Sequence, residues 1–206
     1  SDAVPTYGVS SMCLIQPSID YDHIISVEAP DMPKLTFLDS EKMDEVFDVR
    51  VWKNTCKAQE VSREVSEWFT TYMSRERPGK YRLVRMPAGF NRPASAGSAF
   101  TRFTDGFPFL IASQESLDDL NGRISGDPVL MTRFRPNIVI SGTGKAYAED
   151  AMDLLEIGGV KFEGHWTCDR CPMPGIEQET GRKDGRPLAA LAKYRKTKPG
   201  SDKVQF

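Results

Sequence analysis

The sequence predicts an α+β fold in which many short strands form a mixed, barrel-like sheet with a few short helices. Two patterns support this prediction. Apolar residues alternate with polar ones in short runs bounded by Pro, Gly and Asp, as in residues 46–52. In residues 58–73 the apolar positions follow the helical spacing instead. Few helices among many strands argue against a doubly wound parallel sheet.

The same two signals assign the remaining elements in order. Strands are predicted at residues 12–17, 23–27, 46–52, 81–86, 107–112, 138–140 and 160–162. Helices are predicted at residues 58–73, directly after an N-cap at Ser113, at residues 149–155 and at residues 187–196. On the first helix, Trp68 and Tyr72 are expected to pack in the core.

Composition excludes several classes of protein. The chain has 206 residues, of which 39% are hydrophobic and 27% charged, and its apolar runs are too short to span a bilayer. A net charge of -2 argues against a nucleic-acid-binding protein. The first residues have no basic and apolar leader, so we expect no signal peptide. Four cysteines are too few for a disulfide scaffold and indicate a reducing compartment, the cytoplasm, or the mitochondrion if a targeting segment was removed.

Cys168 and Cys171 form the sharpest local signal, a Cys-x-x-Cys pair. A structural zinc site needs four ligands, and the other cysteines and histidines lack ligand-pair spacing. A thioredoxin-like redox pair normally begins a helix, which the prolines after this pair disfavour. The other interpretations are two inert buried thiols, or one thiolate that binds a soft metal centre beside Arg170. The pair alone leaves all four interpretations open.

Two further segments can bind a ligand. Arg133 and Arg135 precede a proline and a buried strand, and a fixed guanidinium suits a phosphate or a polar heterocycle; a solvated arginine pair is the alternative. Asp105, Gly106 and Phe107 form a turn whose N–H groups can face a ligand, although taken alone a plain turn is the better interpretation. The sequence contains no phosphate-binding loop and no dinucleotide fingerprint.

Taken in order, these segments resemble the MOSC family, and within it the mitochondrial amidoxime-reducing components and the bacterial proteins that reduce N-hydroxylated bases. The resemblance covers residues 81–206. It rests on the runs Asp105-Gly106-Phe107-Pro108-Phe109-Leu110, Phe134-Arg135-Pro136-Asn137-Ile138-Val139-Ile140-Ser141-Gly142, Glu149-Asp150, Ile157-Gly158, Cys168-x-Arg170-Cys171, Glu179-Thr180-Gly181 and Pro187-Leu188-x-x-Leu191-x-x-Tyr194-Arg195.

The resemblance implies a molybdenum–molybdopterin cofactor, independent of pyridoxal phosphate, with Cys171 as the catalytic residue and metal ligand. It also implies that Arg135 binds the pterin or phosphate part of the cofactor. The other residues that it places against the cofactor are Asp105, Gly106, Phe107, Asp169 and Arg170.

The reaction that the resemblance implies is the reduction of amidoximes, hydroxylamines and N-hydroxylated bases to amines. Because the chain has no ferredoxin-like set of cysteines, a separate reductase, iron–sulfur or haem protein is expected to supply the electrons. The alternative is a non-catalytic carrier of the cofactor or of sulfur, similar to the C-terminal domain of molybdenum cofactor sulfurases.

The resemblance also divides the chain into two domains. Residues 1–90 are expected to be part of the family's N-terminal β-barrel subdomain, and residues 91–206 a C-terminally incomplete MOSC domain. The family's Lys-Ser pair and its closing Gly-Gln-Asn segment have no counterpart in this sequence. After Cys171, Pro172-Met173-Pro174-Gly175 replaces a Thr-rich run, which we expect to change substrate access.

Overall fold

The computed structural model describes residues 8–206. In this part of the chain, three α-helices and sheets of two or three strands confirm the mixed α+β class. Within the same residues, no helix has the length and hydropathy needed to cross a membrane. The chain divides into two compact units. The first runs to Pro93 and adds Phe100–Gly106 and Gln178–Gly181, and the second comprises Ala94–Ala99, Phe107–Glu177 and Arg182–Phe206.

Two antiparallel three-stranded sheets dominate the first unit. They comprise β1 (Gln16–Ile19), β2 (Ile24–Glu28) and β3 (Leu35–Leu38), and β4 (Val46–Val51), β5 (Asn54–Glu60) and β6 (Val84–Arg85). A shorter antiparallel pair contains β7 (Arg92–Pro93) and β8 (Phe100–Thr101). In β3, buried Leu35 and Phe37 alternate with exposed residues, as a strand with one face on the core requires.

Helix α1 (Arg63–Met73) completes the core of the first unit. Ser62 caps it, because the Ser62 hydroxyl accepts a hydrogen bond from the Val65 N–H at 3.2 Å. Trp68 and Tyr72 are buried against the first sheet, as predicted. The predicted start at residue 58 is wrong. Residues 58–60 pair with neighbouring strands as the end of β5, and the helix begins only after its cap.

The second unit has shorter strands. In it, β9 (Ile111–Ser113) runs parallel to β10 (Ile138–Ile140), and α2 (Gln114–Arg123) follows β9 directly. Ser113 is its N-cap, as predicted, and accepts a hydrogen bond from the Ser116 N–H at 3.2 Å. The other elements are the hairpin of β11 (Leu154–Ile157) and β12 (Val160–Glu163), the pair β13 (Asp169–Arg170) and β14 (Val204–Gln205), and α3 (Arg186–Tyr194).

The core of the second unit joins these elements. Leu120 of α2 and Leu191 of α3 are fully buried in it. Phe134 lies beside them, and its ring stacks on that of Phe206 with the two centroids 3.7 Å apart. The residue before Arg135 is therefore held in the core of this unit.

Two predicted strands in the first unit are wrong over much of their length. Residues 12–17 begin in the 3₁₀ turn Ser10–Leu14, and only their end belongs to β1. Of residues 81–86, only β6 pairs in a sheet. The N–H of Tyr81 donates to the Thr70 hydroxyl of α1 at 2.9 Å instead of to a strand.

Two predictions in the second unit need the same correction. The strand predicted at residues 107–112 starts at Ile111, because Pro108 lacks an N–H and Phe107 packs in an aromatic cluster. The helix predicted at residues 149–155 is the 3₁₀ turn Ala148–Ala151 followed by β11.

Candidate functional site

Arg170 connects the Cys-x-x-Cys run to the turn that contains Arg135. Its guanidinium donates one hydrogen bond to the Phe134 carbonyl and another to the Cys168 sulfur at 3.2 Å. The same group lies 5.5 Å from the centroid of the Phe134 ring. Two segments that the sequence singled out separately are thus joined by one side chain.

Cys171 lies just after β13 and just before the 3₁₀ turn Met173–Gly175. All four cysteines are free, and Cys171 is half-buried. Within residues 8–206, no hydrogen-bond partner for its sulfur is found, and no group of three or more His, Cys, Asp and Glu side chains has the geometry to hold a metal ion. Any metal at Cys171 would thus need ligands beyond these side chains.

Asp169 stabilises the pairing of β13 with β14. Its carboxylate accepts hydrogen bonds from the Thr197 hydroxyl and the Lys203 ammonium, both at 3.2 Å, and from the Gln205 amide at 3.4 Å. The strand that precedes Cys171 is thereby fixed to the end of the chain.

The two arginines before Pro136 differ in their surroundings. Arg133 is only 6% exposed and forms ion pairs with Asp184 at 3.2 Å and Glu177 at 3.7 Å. Hydrogen bonds from Arg186 hold the pKa of Asp184 low, at about 2, and the charge of Arg133 contributes to this. Arg133 also donates to the carbonyl of Pro174, in the turn after Cys171, at 3.3 Å. Arg133 is therefore a structural residue.

Arg135 is exposed, and its backbone has a left-handed φ of 56°. In the described part of the chain, no carboxylate or carbonyl pairs with its guanidinium. A non-glycine residue in this conformation costs roughly 1–2 kcal/mol. The buried Phe134 and the Arg170 bond to its carbonyl hold the turn in place, so that Arg135 presents its charge to solvent.

The Phe107 ring packs against the residues just before Cys168. It stacks on His165, with centroids 5.3 Å apart, and meets the edge of Trp166 at 4.6 Å. Gly97 packs against His165 of this cluster. A Cβ at position 97 would lie 2.9 Å from His165 Nε2. The approach of this loop to His165 therefore depends on glycine.

Asp105 and Gly106 belong to the first unit, where their turn is fixed by two side chains. Arg92, which is 4% exposed, donates to the carbonyls of Arg102 and Thr104 at 2.7 and 2.6 Å and to the carbonyl of Asp105. The Asp105 carboxylate accepts a hydrogen bond from Trp52 Nε1 at 2.8 Å. The sequence analysis identified neither Arg92 nor Trp52.

Comparison with known proteins places this arrangement in a family. The sequence model of the MOSC-domain family matches residues 101–203. The chain belongs to the MOSC-domain family. The MOSC chain is 31% identical to mitochondrial amidoxime-reducing component 1 of Danio rerio over 185 residues, which cover 85% of this chain and 55% of the relative. It is 34% identical to the Homo sapiens protein of the same name over 169 residues, covering 77% and 48%.

A second kind of relative is the molybdenum cofactor sulfurase of Oryza sativa subsp. japonica. It is 33% identical over 191 residues, which cover 84% of this MOSC chain and 23% of the sulfurase. The chain spans about half the length of the amidoxime-reducing components that it matches.

Two side chains of the second unit have the chemistry that a molybdenum–pterin group needs. The half-buried thiol of Cys171 is available for a soft metal. The exposed guanidinium of Arg135 can offset an anionic group.

Proposed function

We propose that this MOSC domain binds a molybdenum–molybdopterin cofactor through the thiolate of Cys171. The observation that supports this most directly is that two other segments contact the Cys-x-x-Cys run or the residues just before it. Arg170 fixes it to the Phe134 carbonyl, and Phe107 packs on His165 and Trp166 just before it. Segments far apart in sequence thus meet at residues just before Cys171.

The residues around Cys171 have distinct roles in this proposal. Arg135 neutralises the phosphate or pterin oxygens, because its charge is exposed. Asp169 and Arg170 fix the strand and the turn that flank the cofactor, since both side chains are already bonded to protein groups. Phe107 lines the site from a third segment. That Asp105 and Gly106 also bind the cofactor is a prediction from the family resemblance.

The proposed activity is the reduction of N-hydroxylated substrates, such as amidoximes, hydroxylamines and N-hydroxylated bases, to amines. Cleavage of the N–O bond consumes two electrons and two protons and releases the oxygen as water. The bound cofactor would supply the two-electron centre. A separate reductase, iron–sulfur or haem protein would be the electron donor, and Arg135 and Arg170 would offset negative charge at the site.

A second candidate function is a carrier of the cofactor or of sulfur. The match to the molybdenum cofactor sulfurase of Oryza sativa covers as much of this chain as the match to the amidoxime-reducing component of Danio rerio. A loaded sample with benzamidoxime and an artificial reductant separates the two functions. The enzyme forms benzamidine, whereas the carrier retains molybdenum without forming it.

The test of cofactor binding is a pair of cysteine variants of the full-length protein. In a host that makes molybdopterin, we expect wild type and Cys168→Ser to contain molybdenum and Cys171→Ser to lose it, because only Cys171 is the proposed ligand. Metal analysis measures the content, and circular dichroism checks that both variants are folded. A wild-type protein without molybdenum, or a Cys171→Ser variant that retains it, would contradict the proposal.

We also propose that the small sheets of the second unit belong to a mixed barrel-like sheet, and that residues 1–90 and 91–206 correspond to the two domains of the family. Four free cysteines favour a reducing compartment. The proposed location is the cytoplasm, or the mitochondrion, which appears in the names of the two amidoxime-reducing relatives.

A further inference from the structure

A positively charged loop follows helix α3 in the second unit. Residues 193–203, the basic loop, contain five Lys and Arg side chains and one Asp, although the net charge of the whole chain is -2. Two of the five form ion pairs with carboxylates of the same unit. Within residues 8–206, no ion pair is found for the other three, which are all exposed: Lys193, Lys196 and Lys198. These three charges are available to an anionic partner.

Backbone hydrogen bonds fold the basic loop into a hairpin. The Thr197 N–H donates to the Lys203 carbonyl at 3.1 Å, and the Gln205 N–H donates to the Arg195 carbonyl at 2.9 Å. The lysines are thus carried by a defined backbone, so a partner that binds them does not first have to order the loop.

The hairpin places the basic loop beside the strand that precedes Cys171. Lys196 pairs with Val204, and Val204 of β14 pairs in turn with Arg170 of β13. Two steps of about 4.8 Å, the spacing of neighbouring strands, therefore separate the backbone of Lys196 from that of Arg170. The basic loop is thus joined to the strand that leads into the proposed metal ligand.

We propose that the basic loop is the docking surface for an electron-donor protein with an acidic surface. This inference rests on the proposed reduction of N-hydroxylated substrates, which consumes two electrons per turnover. Two reduced one-electron carriers dock in turn, and each loses one electron. The two electrons, with two protons, cleave the N–O bond of the substrate and yield the amine and water. Opposite charges on the two proteins speed their encounter, and salt screens this attraction.

Two other polyanions, nucleic acid and an anionic membrane, fit the basic loop less well. The negative net charge of the chain opposes binding along a nucleic-acid backbone. Membrane-binding segments combine basic residues with apolar ones that insert into the bilayer. In residues 8–206, none of the exposed large apolar side chains belongs to the basic loop. The position beside β13 favours a partner that acts at Cys171.

The test measures how defined donors bind to full-length protein from a molybdopterin-competent host. The probes are an acidic plant-type [2Fe–2S] ferredoxin and an acidic b-type cytochrome. In the variant with Lys193→Glu, Lys196→Glu and Lys198→Glu, we expect the Kd of each carrier to rise about 10-fold or more, because attraction becomes repulsion. Raising the salt from about 20 to about 200 mM should weaken binding to the wild type by a similar factor. Titration calorimetry measures Kd.

A second triple variant is the matched control. Lys42→Glu, Lys53→Glu and Lys80→Glu reverse three exposed lysines of the first unit and change the net charge by the same amount. We expect the control to bind each carrier with a Kd within about threefold of the wild type, because salt screens distant charges.

Turnover separates docking from chemistry in the same three proteins. With reduced methyl viologen, all three should form benzamidine from benzamidoxime at the same rate, because a small reductant needs no docking surface. With the reduced ferredoxin, kcat/KM for the carrier should fall about 10-fold in the basic-loop variant alone.

Several results would overturn the inference. One is a wild type that binds neither carrier, and another is a control variant that loses as much affinity as the basic-loop variant. A third is a basic-loop variant that loses binding to phosphatidylserine vesicles or to DNA while it binds both carriers as the wild type does. Without benzamidine from methyl viologen, the proposed function fails. Normal viologen activity with an unchanged Kd for the carriers refutes this inference alone.

Discussion

Arg133 and Arg135, two positions apart in one motif, show how like residues can serve different purposes. Replacing Arg133 by Ala removes the buried partner of Asp184 and Glu177. We expect the free energy of unfolding to fall by about 3 kcal/mol, because a buried guanidinium and its ion pairs with two half-buried carboxylates are lost. Arg135→Ala should change it by no more than about 0.5 kcal/mol, as expected of an exposed side chain. Urea unfolding of both variants measures the difference.

Arg133→Ala and Arg135→Ala remove the same type of side chain, so each variant is the control for the other. Arg135→Gly sharpens the comparison, since glycine adopts the observed φ of 56° without a clash and should add about 1 kcal/mol of stability. Equal losses in Arg133→Ala and Arg135→Ala would show that burial does not distinguish them.

At the scale of helices and strands, local sequence signals predicted the elements whose structure depends on neighbouring residues in the chain. Ser113 before an amphipathic stretch predicted α2, and residues 187–196 predicted α3 within two residues at each end. The start of α1 was missed because pairing of β5 with β4 and β6 decides residues 58–60, and helical periodicity does not encode such long-range pairing.

Glu149 connects the 3₁₀ turn Ala148–Ala151 to helix α2. Its carboxylate accepts hydrogen bonds from the N–H and hydroxyl of Ser113 at 3.0 and 2.8 Å and from the Ser116 hydroxyl at 2.7 Å. It also places negative charge at the positive end of the helix. We expect Glu149→Gln to lower the free energy of unfolding by about 1–2 kcal/mol and to speed amide exchange in α2.

Glu156→Gln is the matched control for this substitution, since Glu156 is exposed on β11. We expect it to change the stability by less than about 0.5 kcal/mol. Unchanged exchange in α2 of Glu149→Gln would mean that Ser113 alone is sufficient to cap the helix.

At the scale of the whole molecule, the order of the motifs predicted the family, and the contacts between motifs came only from the structure. Cys171, Arg135 and Phe107 could be chosen because runs around them resemble a family in order. The bond from Arg170 to Phe134 spans 36 positions and that from Trp52 to Asp105 spans 53, and no spacing rule encodes either. Arg92 and Trp52 were missed for this reason.

Removal of the cofactor provides a test on the whole protein. A ligand that binds only the folded state stabilises it by an amount that grows with its concentration relative to Kd, about 4 kcal/mol at a thousandfold excess. We therefore expect molybdenum-loaded wild type to melt on the order of 10 °C above the metal-free protein.

The same comparison by hydrogen exchange shows where the cofactor binds. Loading should slow amide exchange at residues 134–135 and 169–171, because the cofactor restricts the turn of Arg135 and the strand before Cys171. Cys171→Ser purified from the same host should match the metal-free wild type in both melting and exchange. If loading raised the melting temperature of Cys171→Ser as much as that of the wild type, the stabilising ligand would bind without this thiolate, and Cys171 would not be the metal ligand.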